Sequence, residues 1–166
     1  MPLSILESPS PHCNPRPDTS IDCIVIHDTE SSTAEAALGW FESPQSLVSA
    51  HYVIDRDGTT YRCVPEDRRA WHAGKSLLAG RPNLNDFSIG IELVGFATQP
   101  YPADQIDTLV ELCVDLCLRY PGITLDRIVG HEDIAIPPGR KTDPGPHFPW
   151  AEVRARIRLG STQSVV

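Results

Sequence analysis

Positive charge is scarce in this sequence. Lys and Arg number 14 against 22 Asp and Glu, a formal net charge of −8. A general nucleic-acid binder, or a protein that lies on an anionic membrane, needs a basic face, and this balance does not supply one. Long apolar runs are missing too: no stretch reaches the roughly 18 apolar residues of a membrane span. Residues 1–17 have neither a basic start nor an apolar stretch, so they do not read as a secretion signal. A full natural chain of this kind is expected to stay in the cytoplasm. Cysteines number five, an odd count that excludes a complete set of internal disulfides, and no C-x-x-C pair occurs. They read as small core thiols of a reducing compartment.

What is present is an ordinary globular composition. The 166 residues are 40% hydrophobic and 22% charged, which suits one domain with a sizeable core and excludes collagen-like or disordered chains. Sixteen prolines and 11 glycines predict many loops and short elements. Residues 1–20, rich in Pro and Ser, read as an extended arm. Cys23-Ile24-Val25-Ile26 is a short continuous apolar run that ends at His27, the pattern of a buried central strand. Ser32-Thr33-Ala34-Glu35 has a capping-box pattern before Ala36, Ala37, Leu38, Trp40 and Phe41, and predicts a helix over 33–42.

His51–Asp55, then Asp57-Gly58, then Thr59–Arg62 predict a β-hairpin. Residues 65–87 hold many turn formers and read as loop. Ser88–Val94 is a further strand. Pro102 opens a helix in which Ile106, Leu109, Val110, Cys113, Cys117 and Tyr120 share one face, ended by Pro121-Gly122. Ile128-Val129-Gly130 is a short strand leading to His131. Residues 134–149 read as loop, and Trp150, Val153 and Ile157 mark a last helix with Gly160 past its end. Residues 21–160 thus form one domain and 161–166 a frayed tail. The order of elements predicts an α/β fold, a mixed sheet flanked by helices.

Several familiar signatures fail. Gly74-Lys75-Ser76 resembles the end of a phosphate loop, but Arg69 stands where its first glycine belongs. His131-Glu132 is not HExxH, because position 135 is Ala. Neither GxSxG nor GxGxxG occurs. What survives is a dispersed polar set at strand ends: His27, Glu92, His131, and the pair Lys141 and Asp143, which point the same way if the segment is extended. Two imidazoles and one carboxylate make a catalytic zinc set with the fourth position left for water. Such a site lowers the pKa of water towards ~7. Glu92 can take that water's proton, and Lys141 can stabilise a developing oxyanion. The alternative for each is structural: hydrogen-bonded histidines, an exposed strand carboxylate and a solvated loop pair.

At these residues the sequence resembles the zinc-dependent N-acetylmuramoyl-L-alanine amidases, a family related to phage T7 lysozyme and the peptidoglycan recognition proteins. The matching blocks are Ile24–His27, Ser49–Ile54 with Asp57-Gly58, Ala70–Gly74, Asn85–Glu92, Gly130–Ile134 and Pro138–Gly145. They follow the family's order over about 24–150. The resemblance implies a central mixed sheet with zinc on one face. It implies hydrolysis of the amide between the lactyl group of N-acetylmuramic acid, the 1,6-anhydro form included, and L-alanine of peptidoglycan stem peptides. His27, His131 and Asp143 resemble the zinc ligands, Glu92 the catalytic carboxylate and Lys141 the lysine that steadies the tetrahedral intermediate. Trp71, His72 and Asn85 fall in blocks that line the substrate groove. The expected partners are muropeptides, with no nucleic acid and no membrane. Ala70–Gly74 and Asn85–Glu92 are similar to the cytoplasmic branch, which acts in cell-wall recycling; another branch is exported. The competing expectation is a peptidoglycan-binding module without catalysis.

Overall fold

The computed structural model of the chain describes residues 3–17 and 20–163. Among the described residues, ten short strands and four α-helices follow in order: β1 (Ile5–Glu7), β2 (Cys13–Pro15), β3 (Cys23–Asp28), α1 (Ala34–Glu42), β4 (Tyr52–Ile54), β5 (Thr60–Arg62), β6 (Arg68–Ala70), β7 (Leu77–Leu78), β8 (Arg81–Pro82), β9 (Ser88–Leu93), α2 (Ala103–Arg119), β10 (Ile128–Gly130), α3 (His131–Ile134) and α4 (Trp150–Gln163).

Six strands make the main sheet, in the order β1-β5-β4-β9-β3-β10. Strands β4, β9, β3 and β10 run parallel, and the β4–β5 hairpin supplies the antiparallel step. The fold is the mixed α/β sheet flanked by helices that the order of elements predicts, and it places the C-terminal ends of four parallel strands along one edge. Crevices form at such ends, where the chain leaves the sheet in loops.

Alternation along the central strands divides the molecule into two layers. Ile24, Ile26, Ile89, Ile91 and Leu93 face α2 and α4, whose Leu109, Leu112, Leu116 and Ile157 complete the larger core. Cys23 and Val25 face the other way, against Ala73, Leu84, Phe87 and Ile134. Both faces of β3 are therefore buried, which is why its sequence is a continuous apolar run. The opposite face is covered by α1 and loops, and it carries the site.

Local structure departs from the sequence expectation in several places. The start of α1 is capped by Thr33, whose hydroxyl accepts from the Ala36 N–H at 3.3 Å, one residue later than the box suggests. Residues 65–87 are not all loop: β6 pairs with β2, and β7 with β8. These strands are too short to print a period in the sequence. His131 opens a single helical turn, with Asp133 accepting from the Gly130 N–H at 2.8 Å. Helix α4 runs through Gly160 to Gln163. A Cβ at Gly160 would lie 2.7 Å from Val114 Cγ2, so this glycine serves close helix packing rather than a helix stop. Within the first twenty residues, Ile5–Glu7 extends the main sheet beside β5. Residues 164–166, part of the expected frayed tail, lie outside the described residues.

Candidate functional site

Strand alternation sends His27 out on the face away from α2, and the β3–β9 register sets Glu92 directly beside it. His131 enters from the neighbouring strand end, one residue after β10. Asp143 arrives on the following loop. That loop is tied down where the Glu132 N–H donates to the Asp143 carbonyl at 2.9 Å and Tyr101 Oη donates to the Pro144 carbonyl at 2.8 Å. Three segments, the outermost of them 116 residues apart in the chain, thus converge on one point.

The convergence is tight. His27 Nδ1 lies 3.0 Å from His131 Nδ1, and each lies 3.1 Å from Asp143 Oδ2. One ligand atom from each of the three residues fits within 4.8 Å of the others. His27 and His131 are 2% and 4% exposed. The far nitrogen of His131, Nε2, sits 3.1 Å from the Ala73 carbonyl. A carbonyl only accepts, so Nε2 carries the hydrogen, and in the neutral ring Nδ1 presents a bare lone pair. A bare nitrogen facing a carboxylate oxygen at hydrogen-bond distance leaves acceptors opposed unless a proton or a metal cation lies between them. Two imidazole nitrogens and one carboxylate suit a divalent ion of zinc's type.

Burial lowers the His27 imidazole to about 4, so the ring is neutral near pH 7 and free to act as a ligand. Glu92 moves in the other sense. Desolvation, reinforced by the charges of Asp143 and Asp28, raises its carboxyl well above the ordinary range, while Lys141 opposes the shift. Its Oε2 is closed off from water and has no hydrogen-bond partner among the described residues. A carboxyl held ready to keep a proton beside a cation site has the character of a general acid–base.

Above these residues opens a groove of about 520 Å³. Arg140, Lys141 and Thr142 form its polar side. Trp40, Phe41, Val48 and Trp71 form an apolar side. Trp40 is 53% exposed. The sequence groups it with the apolar face of α1, but Ala34, Ala37 and Phe41 fill the buried stripe and leave Trp40 at its flank, over the groove. Arg140 is held by bonds to the carbonyls of Ile136, Ala73 and Lys75. Neither Trp40 nor Arg140 carries a sequence signal that marks it as a groove residue.

The remaining expected site residues divide. Trp71 lines the groove, and its indole N–H donates to Asn14 Oδ1 at 2.7 Å. His72 reaches the groove but is largely buried beneath it. Asn85 does not line the groove. Its buried side chain instead braces the loop above it, Oδ1 accepting from the His72 and Ala73 N–H groups at 3.0 and 2.8 Å. His51 and His12 are occupied in the same structural way: His51 Nδ1 accepts from the Gly90 N–H, and His12 Nε2 donates to the Ser43 carbonyl.

Residues 17–146 match the family described as N-acetylmuramoyl-L-alanine amidase. The 1,6-anhydro-N-acetylmuramyl-L-alanine amidase AmpD of Enterobacter cloacae is 40% identical, over 95% of this chain and 92% of that protein. A solved structure of a selenomethionine derivative of AmpD superposes with a TM-score of 0.84 at 38% identity, covering 94% of this chain and 99% of its own. The amidase AmiD from E. coli, solved with the substrate anhydro-N-acetylmuramic acid-L-Ala-D-gamma-Glu-L-Lys, gives a TM-score of 0.75 at 34% identity, covering 86% of this chain and 60% of that one.

Proposed function

Because the chain belongs to the N-acetylmuramoyl-L-alanine amidase family, we propose that it hydrolyses the amide joining the lactyl group of N-acetylmuramic acid to L-alanine of the stem peptide, in muropeptides that include the 1,6-anhydro form. The observation that carries this reading is the convergence of His27 Nδ1, His131 Nδ1 and the Asp143 carboxylate on one point, with Glu92 beside them in the sheet register. His27, His131 and Asp143 would hold Zn2+. When bound, the ion would supply Lewis acidity and a lowered water pKa.

The chain's own residues supply the rest. Glu92 takes the proton of the attacking water on its carboxylate and returns it to the departing L-alanine nitrogen, so the amide C–N bond breaks and the amine leaves neutral. Desolvation raises this carboxyl in the metal-free protein; the charge of a bound cation beside it would oppose that rise and favour the carboxylate that accepts the proton. The Lys141 ammonium, on the polar side of the groove, stabilises the oxyanion that forms at the carbonyl oxygen. The apolar side formed by Trp40 and Trp71 covers the non-reacting part of the substrate and limits water at the cleavage point.

A cytoplasmic setting follows from the same reading. AmpD, which this chain resembles over almost its whole length, is named for the anhydro substrate. All five cysteines are free thiols, and burial raises those of Cys23, Cys63 and Cys113, which keeps them unreactive. Among the described residues no helix is long and apolar enough to cross a membrane.

The test is mass spectrometry of products after the zinc-loaded protein meets anhydromuramyl peptides and intact sacculi side by side. Release of the L-alanine peptide from the soluble fragments is the expected result. Release from sacculi as well would widen the substrate class. Binding without release from either would turn the chain into a recognition module and overturn the enzymatic reading.

A further inference from the structure

Beneath the groove, His27 is the first member of a hydrogen-bonded file that runs away from the cation site into the core. His27 Nε2 lies 2.9 Å from His72 Nδ1. His72 Nε2 lies 3.1 Å from Ser88 Oγ. Ser88 Oγ lies 2.6 Å from the Leu84 carbonyl oxygen. All three side chains are buried. The file ends on a group that can only accept, and this sets its direction. Ser88 spends its single hydrogen on the Leu84 carbonyl, so towards His72 it can only accept, and His72 Nε2 must donate. With one proton per ring, His72 Nδ1 is then bare and accepts, and His27 Nε2 must donate. The Nδ1 of His27 is left as a lone pair aimed at His131 and Asp143.

A second feature shows that the ring of His72 is built into the sheet. Ser88, Gly90 and Glu92 alternate onto the site face of β9. A Cβ at Gly90 would lie 2.5 Å from His72 Cγ and 2.7 Å from its Nδ1. The missing side chain is what lets the ring lie on the strand between His27 and Ser88. The loop carrying the ring is held from the other side by Asn85, through the His72 and Ala73 N–H groups.

We propose that His72, set by Ser88, the Leu84 carbonyl and the glycine at 90, is a positioning residue that fixes the tautomer and ring orientation of His27 for its role as metal ligand. The proposal rests on the metal-site reading above and extends it below the ligands. It makes the site asymmetric in its support. His131 is oriented by a backbone carbonyl that no substitution removes, whereas His27 depends on a side chain. Partners of this kind are worth about 10–100-fold in metal affinity.

Two measurements test it. The first is the nitrogen chemical shifts of His27 in the metal-free protein, which should show Nε2 protonated and Nδ1 bare; an Nδ1-protonated ring would overturn the proposal without any variant being made. The second is zinc affinity by chelator competition for wild type, His72→Leu and His72→Asn. Leucine fills the space but cannot accept, and affinity should fall about 10–100-fold. Asparagine places its Oδ1 near the position of the lost Nδ1 and should recover most of the loss. Equal affinity in His72→Leu and wild type, or equal losses in both variants, would reduce His72 to packing. Absence of zinc binding by wild type would instead overturn the metal-site reading itself, and the two failures are thereby distinguished.

Discussion

Replacing Glu92 by glutamine should make the metal-free protein more stable and the zinc-loaded protein nearly inactive. Glu92 Oε2 has no partner among the described residues, and desolvation with the Asp143 and Asp28 charges holds the carboxyl well above its ordinary value of 4.5. Below pH 4.5 the carboxyl is protonated in both folded and unfolded chains, and its protonated form contributes its full stability. As pH rises, the unfolded chain releases the proton while the folded chain keeps it. Folding then loses about 1.4 kcal/mol for each pH unit until the folded carboxyl also ionises. By pH 7 the loss has an upper bound of about 3 kcal/mol, set by the distance from 4.5 to 7. Glutamine does not titrate and escapes this loss. The advantage of Glu92→Gln should therefore be near zero at pH 4.5 and grow to as much as about 3 kcal/mol at pH 7. For a domain of this size that corresponds to roughly 6–12 °C in Tm. Thermal unfolding of the two chelator-treated proteins at pH 5 and pH 7 measures it. With zinc restored, turnover should fall about 10²–10⁴-fold. A stability difference that does not change with pH, or a glutamine variant that is less stable at pH 7, would refute the assigned environment. Near-normal turnover would refute the acid–base role.

Zinc held at 100 times its Kd should stabilise the fold by about 2.7 kcal/mol, so chelation should lower the Tm of wild type by roughly 5–10 °C; His131→Ala should show neither that response nor activity. Gly160→Leu forces a Cβ to within 2.7 Å of Val114 Cγ2 and should cost about 1–3 kcal/mol by prising α4 from α2, measured by urea unfolding. Glu66 accepts from Tyr52, Tyr120 and Arg119; burial works to raise its pKa, but these partners outweigh it and hold the carboxyl at about 2. The stability this supplies is present above pH 4.5 and is lost as pH falls towards 2. Glu66→Gln should therefore be weaker than wild type by about 1–3 kcal/mol at pH 7, and the gap should narrow between pH 4.5 and 2. A gap that does not narrow as pH falls from 4.5 to 2 would show that the ionised carboxylate is not its source.

Elements with a strong local period are legible in the sequence alone. Cys23–Ile26 reads as a central strand because both of its faces are buried, and α2 reads as a helix because one face meets the sheet along its length. Elements that form only through distant partners are not legible in this way. Arg68–Ala70 is a strand because Cys13–Pro15 lies beside it, and two or three residues carry no period of their own. Gly160 reads as a helix stop because glycine commonly is one; only the neighbouring Val114 shows that its smallness serves packing.

The site divides along the same line. Residue type and order alone selected His27, Glu92, His131, Lys141 and Asp143, because hydrolytic chemistry at a cation needs imidazoles, carboxylates and an ammonium, and the flanking blocks set them in a family's order. What only the tertiary structure decided is which nitrogen faces which atom. The far side of His131 meets a backbone carbonyl at 3.1 Å and the far side of His27 meets His72 at 2.9 Å. Those contacts, together with the shift of Asn85 from groove to brace, cross from one strand or loop to another. A sequence specifies donors and acceptors one residue at a time; their direction is a property of pairs, and the fold makes the pairs.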